Sequence, residues 1–299
     1  MIAALEDKVI DENTLIKTGN GELTFYGKYK VRDSKKGGYG TITAGKVLEV
    51  SSNTGIVKII NDNYKNNPKR FIDRLYNMGI NKPIGLPIKG EGHPKIPYPN
   101  DTDWDGLDLP WMAYGYGVAM TPLQTLTFYN AIANNGEMVK PRFIEKIGMI
   151  GEPPQEIFGK EIINPSICSQ STIEKVKNMM FNVIDKKWGT AYNIKDRDFT
   201  IAGKTGTCQV DYNKIGKEVQ YISSFVGYFP ANKPEYSCIV VIHRPNKRLG
   251  YYGSTVAAPV FKKIAKKIYT ATPRNVHIDL DQLKSLSPVI VENNLENEH

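Results

Sequence analysis

Two short groups of residues in this 299-residue chain have types and spacing that could do chemistry. The first is Lys204-Thr205-Gly206-Thr207, which follows the apolar run Phe199–Ala202. Its lysine brings positive charge and its threonines bring hydroxyls. Its glycine lets a second extended backbone come close, because no side chain blocks the approach. At the end of a strand these residues suit an extended peptide that ends in a carboxylate and is held by strand addition. The same tetrapeptide also fits a solvent-exposed turn. The second group is Ser51-Ser52-Asn53, whose asparagine precedes Lys204 by 151 residues. A Ser-x-Asn triplet is common by chance and gains weight only beside the lysine group.

Other chemistry-bearing patterns fail on inspection. Gly203-Lys204-Thr205 invites a phosphate-loop reading, but that cradle needs a glycine at position 198, which holds Asp198. Gly115-Tyr116-Gly117 is too short for a dinucleotide fingerprint. His93, His243, His277 and His299 are scattered without metal spacing. Cys168, Cys208 and Cys238 are odd in number and have no C-x-x-C spacing, which argues against a structural zinc. No metal and no organic cofactor is expected.

The elements that must position these groups are partly legible. Residues 19–46, rich in Gly, Thr and Tyr, read as a loose hairpin or long loop. Helices are predicted at about 44–50, 55–63 and 68–78, and 79–110 reads as irregular. Thr121-Pro122-Leu123-Gln124 has the residues of a capping box, with proline where its missing N–H costs nothing, and Asn135-Gly136 should end that helix. Ser171-Thr172-Ile173-Glu174 repeats the device ahead of an apolar stripe, Ile173, Val176, Met179, Met180, Val183 and Ile184. Strands are predicted at Phe199–Ala202 running into the lysine group, at Tyr221–Phe229 and at Tyr236–His243. A helix over Val256–Tyr269 turns Val260, Phe261, Ile264 and Ile268 inward and its lysines outward. The first residues, Met1-Ile-Ala-Ala-Leu, have helical composition without a capping residue before them.

Composition sets the outer bounds. Apolar residues make up 40% and charged residues 23%, an ordinary globular balance that excludes a disordered chain or a disulfide-stapled miniprotein. The net charge is +8, but no basic stripe interleaved with aromatics points to nucleic acid. The longest apolar runs, such as Cys238–Ile242, fall far short of the roughly 20 residues a membrane span needs.

Ser-x-Asn followed by Lys-Thr-Gly is the order found in penicillin-recognising acyl transferases. Several more blocks extend the likeness: Ile2-Ala-Ala-Leu-Glu-Asp7, Gly115-Tyr-Gly-Val-Ala-Met-Thr-Pro-Leu-Gln124, Ala133-Asn-Asn-Gly136 and Gly189-Thr-Ala191. Ala202–Thr207, Ser224–Ala231 and Tyr252–Phe261 complete it. The chain resembles the transpeptidase domain of class B penicillin-binding proteins, from about Met1 to Tyr269. The resemblance implies an α+β fold, an antiparallel sheet flanked by helices, with 1–270 a partial transpeptidase domain and 271–299 a tail. It implies peptidoglycan D,D-transpeptidation through a serine acyl-enzyme on stem peptides ending in D-alanyl-D-alanine, with β-lactams as further ligands. Cell-wall synthesis membrane proteins are the implied partners. The implied location is the extracytoplasmic face of the bacterial cytoplasmic membrane, with the anchor upstream.

Carried over by motif, the resemblance gives Ser51 the proton relay to the leaving amine. Asn53 holds the substrate amide and a neighbouring lysine. Lys204 is a fixed cation, the backbone N–H of Thr207 forms half of an oxyanion hole, and Thr205 and Thr207 hydroxyls bind the terminal carboxylate beside Gly206. The family's nucleophile and base lie in a Ser-x-x-Lys motif, and no serine here has lysine three residues on. The resemblance puts that motif just before a segment like Met1–Asp7. The expectation is therefore a chain that begins just after its own nucleophile and base, with part of the helix that carries them missing, and that lacks two N-terminal strands. Such a chain is inactive alone, has Tyr236–His243 as an apolar sheet edge, and folds poorly unless the missing half is supplied. A non-catalytic peptide- or penicillin-binding module is the alternative, and a serine carboxypeptidase or β-lactamase a further one. The Gly115–Gln124 block and the long segments between motifs favour the transpeptidase.

Overall fold

A computed structural model describes residues 1–210 and 218–272; most of the tail at 271–299, with His277 and His299, lies outside the described residues. In chain order the elements are α1 (Ile2–Glu6), β1 (Leu15–Gly19), β2 (Glu22–Phe25), β3 (Tyr29–Arg32), β4 (Gly40–Thr43), α2 (Ala44–Glu49), α3 (Asn53–Tyr64) and α4 (Pro68–Asn77). After a long irregular stretch come α5 (Asp108–Ala113), α6 (Pro122–Ala133), β5 (Met138–Val139), β6 (Lys146–Ile147), β7 (Glu156–Ile157), β8 (Ile162–Asn164) and α7 (Gln170–Asp185). The last part holds β9 (Ala202–Val210), β10 (Gln220–Phe229), β11 (Tyr236–His243), α8 (Gly253–Val256) and α9 (Ala258–Ala271).

The main sheet is antiparallel in the order β11-β10-β9, so the lysine group sits on an edge strand. Register places Lys204 opposite Val226 and Gly206 opposite Ser224. β10 is buried over most of its length, as its run Phe225 to Phe229 requires. β11 forms the other edge among the described residues.

Two apolar cores share α7. Its Val176, Met179 and Met180 join a helical core with α1, α2, α3, α4 and α6. Its Val183 and Ile184 join a second core between the sheet and α9. There Phe225, Phe229 and Phe261 are fully buried and meet edge to face, with centroids 4.8 and 5.8 Å from that of Phe261. Burying one such ring contributes about 3 kcal/mol. The buried face of α9 is Ala258, Phe261 and Ala265; Val260 and Ile264, read as inward, are exposed because they fall one residue off that face at a 3.6-residue period.

Local chemistry explains where elements start. Thr121 and Gln124 form the reciprocal capping box at α6, with N–H to oxygen distances of 3.1 and 2.8 Å. At α7 the structure differs from the sequence reading. The cap is Ser169 rather than Ser171, and the helix starts at Gln170. The reason is tertiary: the Glu6 carboxylate accepts from Ser169 Oγ and Thr172 Oγ1, both at 2.7 Å, which fixes Ser169 as the residue that turns the chain. The Gly/Thr/Tyr-rich segment resolves into two antiparallel pairs, β1 with β4 and β2 with β3. The helix read over Val256–Tyr269 begins at Ala258 and ends at Ala271, with the short α8 ahead of it.

Candidate active site

Ser51 occupies the joint between α2 and α3. Thr43 caps α2 by accepting from Lys46 N–H, and the helix ends when Ser51 N–H bonds back to the Leu48 carbonyl at 3.1 Å. Ser52 then caps α3, its Oγ accepting from Gly55 N–H at 3.0 Å. The helices meet tightly because residue 55 has no side chain: a Cβ there would lie 2.6 Å from a Val47 methyl. Between the helices Ser51 adopts the left-handed region, with φ of 54°. That conformation costs a serine about 1–2 kcal/mol and needs support from its surroundings.

Lys204 projects from β9 to meet it. Its Nζ donates to Ser51 Oγ at 2.7 Å and to the Thr205 carbonyl at 3.0 Å. Burial pushes its pKa down to about 8, because a cation withdrawn from water is disfavoured. Asn53 lines the same cavity, and its Nδ2 donates to the Arg32 carbonyl at 2.8 Å. Thr205 Oγ1 is 3.0 Å from Thr190 Oγ1, and Thr207 Oγ1 accepts from Gly253 N–H at 3.0 Å. A Cβ on Gly206 would stand 2.5 Å from Ser224 Oγ, so a side chain there would displace the Ser224 hydroxyl.

These residues face a cavity of about 500 Å³. Ser51, Asn53 and Lys204 line its polar end, while Ile56, Phe128 and Ile132 are among those lining its apolar part. The Gly115–Gln124 block rims it from the other side. Tyr116 OH accepts from Gln209 N–H at 3.1 Å, which ties that loop to β9.

All five residues singled out in the sequence, together with Gly206, line this cavity. Sequence reasoning passed over three others. Thr190 braces Thr205; its place in Gly189-Thr-Ala191 was the available signal. Glu49 is buried, accepts from Asn182 Nδ2 at 2.8 Å and Trp188 Nε1 at 2.6 Å, and through its carbonyl receives Thr190 N–H. Asp33 binds the Ser52–Thr54 segment, and no local pattern marked it. Among the described residues no group of three or more His, Cys, Asp or Glu gathers to hold a metal, and no helix is long and apolar enough to cross a membrane.

The chain is similar in sequence and fold to known proteins. The model of the penicillin binding protein transpeptidase domain matches residues 1–266. The peptidoglycan D,D-transpeptidase FtsI of Buchnera aphidicola is 30% identical over 268 residues, covering 90% of this chain and 43% of the relative. FtsI of Escherichia coli K12 is 28% identical over 287 residues, 95% of this chain and 43% of the relative. The chain thus spans less than half the length of these relatives. Among solved structures, the transpeptidase domain of Burkholderia pseudomallei penicillin-binding protein 3 superposes with a TM-score of 0.74 at 27% identity, over 92% of this chain and 77% of that one. Penicillin-binding protein 3 of Mycobacterium tuberculosis, solved with aztreonam, gives 0.74 at 25% identity, over 90% of this chain and 60% of that one. The α+β fold, the order of the motifs and the family model agree: the chain belongs to the penicillin-binding protein transpeptidase family, as a domain of the class B kind.

Proposed function

We propose that residues 1–270 carry the proton-relay and carboxylate-binding part of a peptidoglycan D,D-transpeptidase site. The observation that carries this reading is the 2.7 Å contact between Lys204 Nζ and Ser51 Oγ at the polar end of the cavity. Because Lys204 donates to Ser51, the Ser51 hydroxyl proton is free to point at a leaving amine. When that proton departs, the adjacent ammonium stabilises the oxygen left behind. Thr205 and Thr207 on the edge strand receive a terminal carboxylate, with Lys204 supplying the opposite charge. The Thr207 N–H serves as one oxyanion donor, and Asn53 meets the substrate amide. The substrates are stem peptides ending in D-alanyl-D-alanine, with β-lactams as mimics. The partners are membrane proteins of cell-wall synthesis, and the site works at the extracytoplasmic face of the bacterial cytoplasmic membrane.

The 299 residues contain no Ser-x-x-Lys, so by themselves they form no acyl-enzyme. The test is a pair of measurements on the chain. A fluorescent penicillin leaves it unlabelled, while calorimetric titration with a D-alanyl-D-alanine peptide shows weak binding that Lys204→Ala abolishes. Covalent labelling, or binding unaffected by Lys204→Ala, overturns the reading. The missing motif also favours a second reading, a peptide-binding module without turnover. The coding sequence upstream of Met1 separates the two: an in-frame Ser-x-x-Lys supports the transpeptidase, and an unrelated gene supports the module.

A further inference from the structure

We infer that Asp33 is a positioning residue that holds Ser51 against Lys204; the inference rests on the Ser51–Lys204 reading above. Asp33 directly follows β3, at the foot of the β2–β3 hairpin. That foot is pinned. Asp33 N–H donates to the Gly21 carbonyl at 2.9 Å. Gly21 and Gly38, with φ of 79° and 67°, cross so closely that a Cβ on Gly21 would lie 2.8 Å from Gly38 Cα.

From this anchored base the carboxylate reaches the joint between α2 and α3. Ser52 Oγ donates to it, lying 3.1 and 3.0 Å from its two oxygens. Thr54 N–H donates to Oδ1 at 2.9 Å and Thr54 Oγ1 to Oδ2 at 2.8 Å. Ser52 and Thr54 are almost wholly buried, so water cannot replace these bonds. On the other side Ser51 N–H and Ser52 N–H are tied to the last turn of α2, through the carbonyls of Leu48 and Val47. Ser51 thus sits between the last turn of α2 and a Ser52 that is held both by that turn and by Asp33, and it takes its left-handed φ there. A non-glycine residue keeps such a conformation only while its surroundings over-determine it. Asp33 supplies the second hold on Ser52 without touching the cavity's polar end, so it acts through Ser51 and not on substrate.

The test replaces Ser51 by cysteine in the whole 299-residue chain and follows alkylation of the introduced thiol against pH by peptide mass spectrometry. An adjacent ammonium favours the thiolate and draws its pKa below the ordinary value of about 8.5. Adding Asp33→Ala moves the thiol away from Lys204, and alkylation at pH 7 slows about tenfold, the equivalent of one pKa unit. Loss of the carboxylate's charge alone acts in the opposite direction, since a nearby negative charge disfavours a thiolate. The sign therefore separates positioning from electrostatics. Cys168 is buried and reports unfolding in the same digest, becoming reactive only if the chain opens. Thr54→Val, which removes one donor and keeps the carboxylate, slows alkylation about threefold by the same logic. Rates that stay constant or rise while Cys168 stays protected overturn the inference. If Asp33→Ala exposes Cys168, Thr54→Val decides in the same way. An ordinary thiol pKa in the Ser51→Cys parent overturns instead the Ser51–Lys204 pair, and this inference with it.

Discussion

The two walls of the cleft are built by different means. The wall carrying Lys204 to Thr207 is a strand laddered to β10 and backed by the closely packed Phe225, Phe229 and Phe261. Main-chain hydrogen bonds set its geometry, and these depend little on any one side chain. The wall carrying Ser51 and Asn53 is a joint between two helices beside an apolar cavity of about 500 Å³. Side chains set its shape: the Ser52 cap, the Asp33 carboxylate and the Glu49 bonds to Asn182 and Trp188. One wall is secured by backbone and packing, the other by individual polar groups, and the site lies where they meet.

That contrast can be broken by substitution. The largest effect on stability is expected at Phe261→Ala in the sealed core. It should cost about 3–5 kcal/mol, read as a lower denaturant midpoint, because the void cannot collapse among packed rings. Phe128→Ala belongs at the other extreme, at about 1 kcal/mol or less, since that ring already borders the cavity. Equal losses at the two positions would erase the distinction between a filled and a hollow core.

Between these lies the pH response of Lys204. Its folded pKa of about 8 is below its ordinary 10.5. The unfolded chain therefore holds more protons in that window, and this group makes the fold more stable as pH rises from about 8 to 10.5. Peptide binding should go the other way, weakening up to tenfold per pH unit above about 8 as the ammonium is lost. A carboxylate-dependent affinity that is flat from pH 7 to 10 would show that Lys204 does not face the ligand. A smaller effect is expected at Thr190→Val, which removes the hydroxyl beside Thr205. About 1 kcal/mol, roughly fivefold in peptide affinity, should be lost with little change in melting temperature. Loss of the fold instead would move Thr190 from the binding wall to the structural frame.

How much of this was readable beforehand depended on how local the cause was. The strand Tyr236–His243 was read at its observed bounds, and the α6 cap at the observed residues, because each is written in consecutive side chains. The start of α7 was misplaced by two residues because the choice of cap belongs to Glu6, far away in the chain. Residues 19–46 read only as a loose hairpin or long loop, and the β1–β4 pairing stayed hidden, since the strands there are only four or five residues long and stabilise one another by pairing. Lys204, Ser51 and Asn53, which line one cavity, are marked by their motifs. Asp33 was not, since a lone aspartate in a lysine- and glycine-rich loop carries no pattern.

By itself the amino-acid order determined the residue types of the site, their family, and most of the helices and long strands, because periodicity and capping act over a few residues. Only the tertiary structure decided that Ser51 takes a left-handed turn within 2.7 Å of Lys204, that Asp33 binds the adjoining Ser52 and Thr54, and that Thr190 backs Thr205. Those contacts join residues up to 153 apart, and such distances close only when the sheet and the helices pack together.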